Sequence, residues 1–440
     1  MALGGGTWQT QNKVLPGTYI TFSSVAKASA TLSDRGYAAA PFALSWGPEG
    51  KLFPVTSGEF QKNSKSIFGY GYDHPKLLAL REIFQHATTV YCWRLGNGTK
   101  AACTLAEARY PGERGNDLSI TVAANVDDES AWDVITYLDG QQVDTQTVKA
   151  ATDLVSNDYV TFKASASLAA TTNLKLTSGA DDSSITGEDH QAFLAALEAY
   201  SFNTLCCPAK DSTTVNLYTK FTQRMRDEVG AKFQLVAWRP NRADYEGVIG
   251  VWNTVTHPSI PAVDEQAVVY WVTGAQAGVS VNASLTNTAY DGELLIDTNS
   301  TQAELEAAIK AGKFIFHDVN GVTRVLDDIN TLLTLSDTKG EIFQSNQTMR
   351  VCDQIANDMA VLFATRYLGT VPNDASGRSS LWGDAVKLMQ QLEQIRAIQD
   401  FSSDNVTCEQ GDKKKAVLLT ISGLNIVNAM AQLYMSVVIE

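Results

Sequence analysis

Five histidines, six cysteines and three acidic clusters are the residues of this chain whose chemistry could be catalytic or metal-binding. His74, His86, His190, His257 and His317 lie far apart, and none has a second ligand at helical or loop spacing. The sequence therefore offers no metal centre and implies no cofactor. Cys92, Cys103, Cys206, Cys207, Cys352 and Cys408 follow no framework spacing and read as reduced thiols. The adjacent Cys206-Cys207, at the end of an apolar run, reads as two small buried hydrophobes. Asp127-Asp128-Glu129, Asp181-Asp182 and Asp327-Asp328 lack EF-hand spacing and read as solvated loop charge. Gly47-Pro48-Glu49-Gly50-Lys51 has neither the spacing nor the final hydroxyl of a phosphate loop, and Pro48 removes a cradle donor, so it reads as a turn. No Gly-x-Ser-x-Gly elbow and no His-Glu-x-x-His pair occurs. No catalytic residue can be named. Weight moves towards a structural or binding role, with an α/β enzyme whose site is assembled from distant residues as the alternative.

The elements that carry these residues point to an α/β (α+β) multidomain chain. At 440 residues it exceeds what one core sustains, and its 44% apolar content suffices for several. A net charge of −14 argues against nucleic-acid binding, which needs a basic face. No run approaches the ~20 apolar residues of a membrane span, and residues 1–6 lack the charged and apolar regions of a signal peptide. Residues 23–97 and 187–345 alternate helix and strand, the pattern of a mixed sheet with helices on its faces. Residues 37–46 are apolar, strands are expected at 88–93, 204–208, 233–238 and 251–255, and helices after His74-Pro75 and over 265–275. Residues 98–186 form short alternating runs rich in Thr, Ser and Asp, with a hairpin signal at Asp139-Gly140, and read as an inserted all-β module. Thr301-x-x-Glu304 is a capping box, and Asn320-Gly321 between two apolar runs marks a hairpin. Residues 346–440 form a C-terminal helix-plus-sheet domain. It holds two helices separated by a loop at 373–380, a polar loop at 401–415, then a closing strand, helix and strand over 416–440.

Both ends of the sequence read as strands without an obvious partner. The turn signal Pro16-Gly17 precedes a strand over Tyr19 to Phe22, and the last residues, Met435-Ser436-Val437-Val438-Ile439, are apolar and β-branched. A strand left at a sheet edge needs backbone partners, from its own sheet or from another chain by strand addition.

The most distinctive string is Tyr110-Pro111-Gly112-Glu113-Arg114-Gly115-Asn116-Asp117. Physically it is two sharp turns before a strand. It also resembles the Tyr-Pro-Gly-x-x-Gly-Asn-Asp signature of contractile tail sheath proteins of phages and bacteriocins, with Arg109 where the family has Lys. Leu15-Pro16-Gly17-Thr18-Tyr19 resembles the family's N-terminal Pro-Gly-Val-Tyr segment. Asn330-Thr331-Leu332, the helix ending in Tyr367-Leu368-Gly369, and the closing residues agree as well, so the similarity spans nearly the whole chain. The resemblance implies a structural, non-enzymatic subunit of a phage, prophage or bacteriocin tail. It would be made in the bacterial cytoplasm and polymerise helically around an inner tube that contraction drives through a cell envelope. The implied partners are the chain itself, the tail tube protein, and baseplate and tail-terminator proteins, without nucleic acid or membrane insertion. It also implies that an arm over residues 1–22, through Val14, Leu15, Thr18, Tyr19 and Ile20, and a terminal strand, through Met435, Val437, Val438 and Ile439, each extend a neighbour's sheet.

Overall fold

The computed structural model describes residues 31–439 other than 183 and 242. Two compact units divide the chain. The larger comprises residues 33–354, 395–399 and 425–439; the smaller comprises 355–394 and 400–424, with 31–32.

The larger unit is built on a six-stranded sheet whose chain order is interrupted by an insertion. Strand β1 (Tyr37–Phe42) lies inside it, and β2 (Phe53–Thr56), helices α1 (Ser57–Phe68) and α2 (Leu78–Phe84) and strand β3 (Thr89–Arg94) follow. The insertion holds β4 (Ala106–Ala108), β5 (Leu118–Ala124), β6 (Trp132–Leu138), β7 (Gln141–Val148), β8 (Val160–Phe162) and β9 (Thr171–Lys175). The chain returns with α3 (Gly187–Leu197), β10 (Thr204–Cys207), α4 (Ser212–Arg224), β11 (Gln234–Trp238), β12 (Val248–Val251), β13 (Val255–Thr256) and α5 (Val268–Gly278). It continues through β14 (Leu295–Ile296), α6 (Gln302–Lys310), β15 (Phe316–Val319) and β16 (Val322–Val325) to α7 (Asn346–Leu362).

The sheet order is β12-β11-β10-β1-β3-β2, parallel except for the antiparallel edge pair β2–β3. Strands covered on both faces read as continuous apolar runs, and β1, β10, β11 and β12 are buried nearly throughout. Helix α5 is apolar on all sides because it lies between the sheet and α2. The α2–α5 approach is so close that a Cβ on Gly274 would stand 2.1 Å from the Ile83 carbonyl, which excludes every other residue there. In the insertion a four-stranded antiparallel sheet, order β7-β6-β5-β9, buries Leu118, Ile120, Val122, Val134 and Leu138. Asp139 and Gly140 take φ of 53° and 71°, the two positive values a two-residue hairpin of this hand requires. Asn320 and Gly321 do the same between β15 and β16. Thr301 and Glu304 form the reciprocal capping box at the start of α6.

In the smaller unit α7 runs on into a wider helical turn, Phe363–Tyr367, which Gly369 (φ 71°) ends. Helix α8 (Ala375–Gln394) begins where Asp374 Oδ1 accepts from the Gly377 amide at 2.8 Å. Strands β17 (Ile398–Gln399) and β20 (Asn425–Ile426) pair in the larger unit; β18 (Val406–Gln410) and β19 (Val417–Ile421) pair in the smaller one.

Several expectations are corrected. The strand expected over 251–255 is split between β12 and β13 by irregular backbone. Helix α1 lies in a stretch to which the sequence assigns no element. The loop expected at 373–380 is mostly the first turns of α8, and the polar stretch 401–415 contains β18. The helix expected after Ser422-Gly423, from Ile426 to Tyr434, does not form: β20 gives way to irregular backbone from 427 to 439. Among the described residues the apolar period there meets no surface that buries it, and periodicity without burial does not hold a helix.

Candidate assembly sites

The histidines and most of the charged residues singled out above are engaged locally. His74 Nδ1 accepts from the Lys76 amide and His257 Nδ1 from the Ser259 and Ile260 amides, so both cap turns. His86 pairs with Asp291 at 3.1 Å, and His190 bonds the Tyr218 hydroxyl at 2.8 Å in the core. His317 lies on the β15–β16 hairpin. Cys92, Cys206 and Cys207 are fully buried. Among the described residues no group of His, Cys, Asp or Glu could hold a metal ion. The turn at 47–51 sends Glu49 to accept from the Gly98 amide. Asp328 is the centre of a buried network, accepting from Arg350 Nη2 (2.7 Å), Gln276 Nε2 (2.7 Å), Asn346 Nδ2 (2.9 Å) and the Leu285 amide (3.0 Å). Arg226 grips Asp353 through both terminal nitrogens, at 2.7 and 2.8 Å. A crevice of about 450 Å³ lies past the carboxyl ends of β1 and β3. Three of its charged groups are turned to internal bonds: Lys76 to Ser45, Arg94 to the Gly47 and Pro111 carbonyls, Glu82 to Tyr290 and the Glu293 amide. Burial, opposed by those two bonds, raises the Glu82 carboxyl to about 7.

The Tyr110–Asp117 string fastens the insertion to the core. Strand-like segments entering and leaving the insertion bridge each other at Thr99–Ala180 and Ala102–Thr177. Asn116 spans this neck in both directions: its Nδ2 donates to the Gly179 carbonyl and its Oδ1 accepts from the Gly179 amide, both at 2.8 Å. Gly112 has φ 122°, and a Cβ there would stand 2.2 Å from the Ser45 carbonyl; a Cβ on Gly115 would stand 2.9 Å from that of Ala101 and 3.0 Å from that of Ala108. Arg114 donates to the Gly69 carbonyl (2.7 Å), forks onto Asp139 (2.7 and 2.6 Å), bonds Asp117 (2.7 Å) and lies 4.5 Å over the Tyr70 ring. Tyr110 meets Trp46 edge-on at 5.4 Å. Tyr110, Gly112, Arg114, Gly115, Asn116 and Asp117 therefore meet in one joint.

Two further features lack a partner among the described residues. In the larger unit, Val427 donates to the Ala397 carbonyl, and Gln347 brackets the next turn by donating to the Val427 carbonyl and accepting from the Ala429 amide. Beyond that anchor, residues 430–439 have no secondary structure, and seven large apolar side chains are 70–102% exposed: Met430, Leu433, Tyr434, Met435, Val437, Val438 and Ile439. Extended, these ten residues reach about 33 Å. In the smaller unit, β18 and β19 form a two-stranded ladder from Val406↔Ile421 to Gln410↔Val417, and no other described strand pairs with either outer edge. Its inner face is firm: Leu362, Tyr367 and Leu381, with Cys408 and Val417, form one cluster, and Ala385, Val386 and Val406, with Leu419 and Ile421, another. Trp382 Nε1 donates to the Val406 carbonyl at 2.9 Å. Asn373 holds the Lys414 and Ala416 carbonyls at 2.9 and 2.8 Å. Val14, Leu15, Thr18, Tyr19 and Ile20, the expected N-terminal linkers, lie outside the described residues.

Four consecutive stretches match phage sheath domain families. Residues 35–95 match the tail sheath protein Gp18 domain III N-terminal region and 96–181 the phage tail sheath protein beta-sandwich domain. Residues 183–331 match the phage tail sheath protein central domain and 338–440 the phage tail sheath C-terminal domain. The chain is 32% identical to the phage-like element PBSX protein XkdK of Bacillus subtilis over 99% of both sequences. The crystal structure of a sheath tail protein from Desulfitobacterium hafniense is similar at TM-score 0.78 and 34% identity, over 90% of this chain and 93% of that one. The helical sheath of the anti-feeding prophage in its contracted state shares the fold, with TM-score 0.59 at 12% identity over 97% and 99% of the two chains.

Proposed function

The chain belongs to the phage tail sheath family and is a structural subunit of a contractile tail sheath, and we propose that its copies are joined by strands exchanged between neighbours. In this reading residues 434–439 of one copy, through Met435, Val437, Val438 and Ile439, add to an outer edge of the β18–β19 ladder of another. Val14, Leu15, Thr18, Tyr19 and Ile20 do the same for a second neighbour. The observation that carries it is the run of exposed apolar side chains over 430–439, which one copy leaves in water. A ladder satisfies the backbone at an edge, and alternate side chains reach two faces, which suits a segment apolar on both.

The domain roles follow. Residues 23–97 and 187–345 act as the rigid core, 98–186 as a peripheral module, and 346–440 as the linking domain. Residues 110–117 keep the module from swinging when subunits rotate. The further partners are a tail tube protein inside the polymer and baseplate and terminator proteins at its ends, in a phage or phage-like tail particle assembled in the bacterial cytoplasm. Negative-stain microscopy of the purified full-length chain tests the reading. Hollow helical polymers are expected, and a chain that stays monomeric at all concentrations and salts refutes it.

A further inference from the structure

Past the carboxyl ends of β11 and β12 lies a groove of about 490 Å³ lined by Arg239, Pro240, Trp252, Gly312, Lys313 and Leu333, among others. Two cations stand on two indoles there. The Arg239 guanidinium lies 4.2 Å from the Trp238 ring and donates through Nε and Nη2 to the Trp252 carbonyl, at 3.2 and 3.1 Å. Lys313 Nζ lies 4.0 Å over the Trp252 ring. Among the described residues neither cation has an ion pair. The carboxylates nearby serve the backbone instead: Asp244 accepts from the Leu333 and Thr334 amides, and Glu304 closes the α6 capping box. The site is held in an unfavourable backbone, since Arg239 and Asp244 both have positive φ, 45° and 37°. Non-glycine residues keep such angles only where their surroundings enforce them. In a chain with 48 acidic and 34 basic residues, two adjacent basic side chains left without counter-charge invite a carboxylate from elsewhere.

We propose that this groove receives the acidic tip between β5 and β6 of a second copy of the chain, an inference that rests on the polymer reading above. The tip carries one bare apolar side chain, Val126, 94% exposed, followed by Asp127, Asp128 and Glu129. Asp128 is tied to Lys149 at 3.1 Å and to Ser130, whereas Asp127 and Glu129 have no ion pair among the described residues. The two surfaces match: Val126 covers Pro240 and Leu333, and the free carboxylates face Arg239 and Lys313. The tip of the same copy does not line the groove. The charge of the chain gives the contact its purpose. Subunits carrying −14 each repel when stacked within a Debye length, about 8 Å in physiological salt, so a homopolymer gains from each place where a cation of one copy meets an acid of the next.

A zero-length carbodiimide cross-linker, which joins an amine to a carboxylate in contact, tests this on polymers of the full-length chain. Mixed isotope-labelled and unlabelled copies show which links are intermolecular. The expected product is an isopeptide between Lys313 of one copy and Asp127 or Glu129 of another. Lys313→Glu is expected to raise the concentration needed for half-assembly about tenfold, and adding Asp127→Lys to that variant to lower it again, which also shows that the variant folds. Polymers in which Lys313 is unlinked, or linked to other carboxylates, or in which the double variant assembles no better than Lys313→Glu, refute the contact alone. A chain that forms no polymer refutes the sheath reading and this contact together.

Discussion

Cutting the chain after Ala429 separates folding from assembly. Residues 430–439 keep seven large apolar side chains 70–102% exposed, and their backbone joins no ladder among the described residues. The last anchor, Gln347 on Val427 and Ala429, stays in place. Removing the segment should therefore change unfolding by less than about 0.5 kcal/mol, the range of surface changes that touch no partner. In a polymer the same segment would bury Val, Ile and Met side chains worth roughly 1.5–3 kcal/mol each in transfer. Losing it should abolish assembly at any accessible concentration. Val437→Pro is the finer probe. It removes one ladder donor and places a ring against the pairing strand, roughly 3 kcal/mol per link, or about a hundredfold in the association constant. Circular-dichroism melts report the fold, and sedimentation with negative-stain microscopy reports the polymer. Tubes formed by the truncated chain would sink the exchange of residues 434–439. A truncated chain that loses more than about 2 kcal/mol would show that the segment belongs to a core.

Arg350→Met leaves the Asp328 carboxylate buried without its counter-charge and should lower stability by about 3–5 kcal/mol in urea melts; a loss below about 1 kcal/mol would show the pair idle, and adding Asp328→Leu should recover part of the loss. The Glu82 carboxyl is raised to about 7, above its usual 4.5, so the native state holds a proton that the unfolded chain has released. Stability should therefore fall by roughly 3 kcal/mol as pH rises through that interval, and Glu82→Gln should flatten the slope in melts at pH 5 and 7.5; an unchanged slope refutes the assignment. Burial pushes the Cys92 and Cys206 thiols far up and Cys207 to about 12, so a thiol reagent should label at most Cys103, Cys352 and Cys408 before denaturation, as peptide mapping would show. Asn116→Ala opens both neck bonds to Gly179 and should cost about 1–3 kcal/mol, read as faster proteolysis near residues 98–102; unchanged cleavage would remove Asn116 from the joint.

Much of the fold is legible where local chemistry and tertiary need agree. Asn320-Gly321 and Asp139-Gly140 read as hairpins because only such residues accept two positive φ values. The parallel sheet reads through because strands covered on both faces leave continuous apolar runs at Leu205-Cys206-Cys207 and Leu235-Val236-Ala237. Helix α1 escapes a periodicity search because only Phe60, Ser64 and Phe68 are buried among polar neighbours. Its Thr56-x-x-Glu59 box is the signal that would have found it, and both bonds of that box form. Strand β18 escapes because only one of its faces is covered, leaving Thr407 and Glu409 as water-facing residues that read as loop. At residues 426–434 the helical spacing is real, but none of the described residues buries it. The family string was legible as a signature and not as a machine part, because the partners of Arg114 and Asn116 come from residues 69, 70, 139 and 179. The basic groove is invisible in sequence for the same reason: Trp238, Trp252 and Lys313 come from three separate segments.

The neck of the β module has a practical sequel. Its two crossing segments are bridged rung to rung at Thr99–Ala180 and Ala102–Thr177, so everything between them enters and leaves at one point on the core. A foreign domain whose own ends lie about 5 Å apart is a candidate to replace residues 118–175, a change that keeps the Asn116–Gly179 clasp and gives up the Arg114–Asp139 pair. A filament grown from such chimaeras would display one cargo per repeat at the spacing of its lattice.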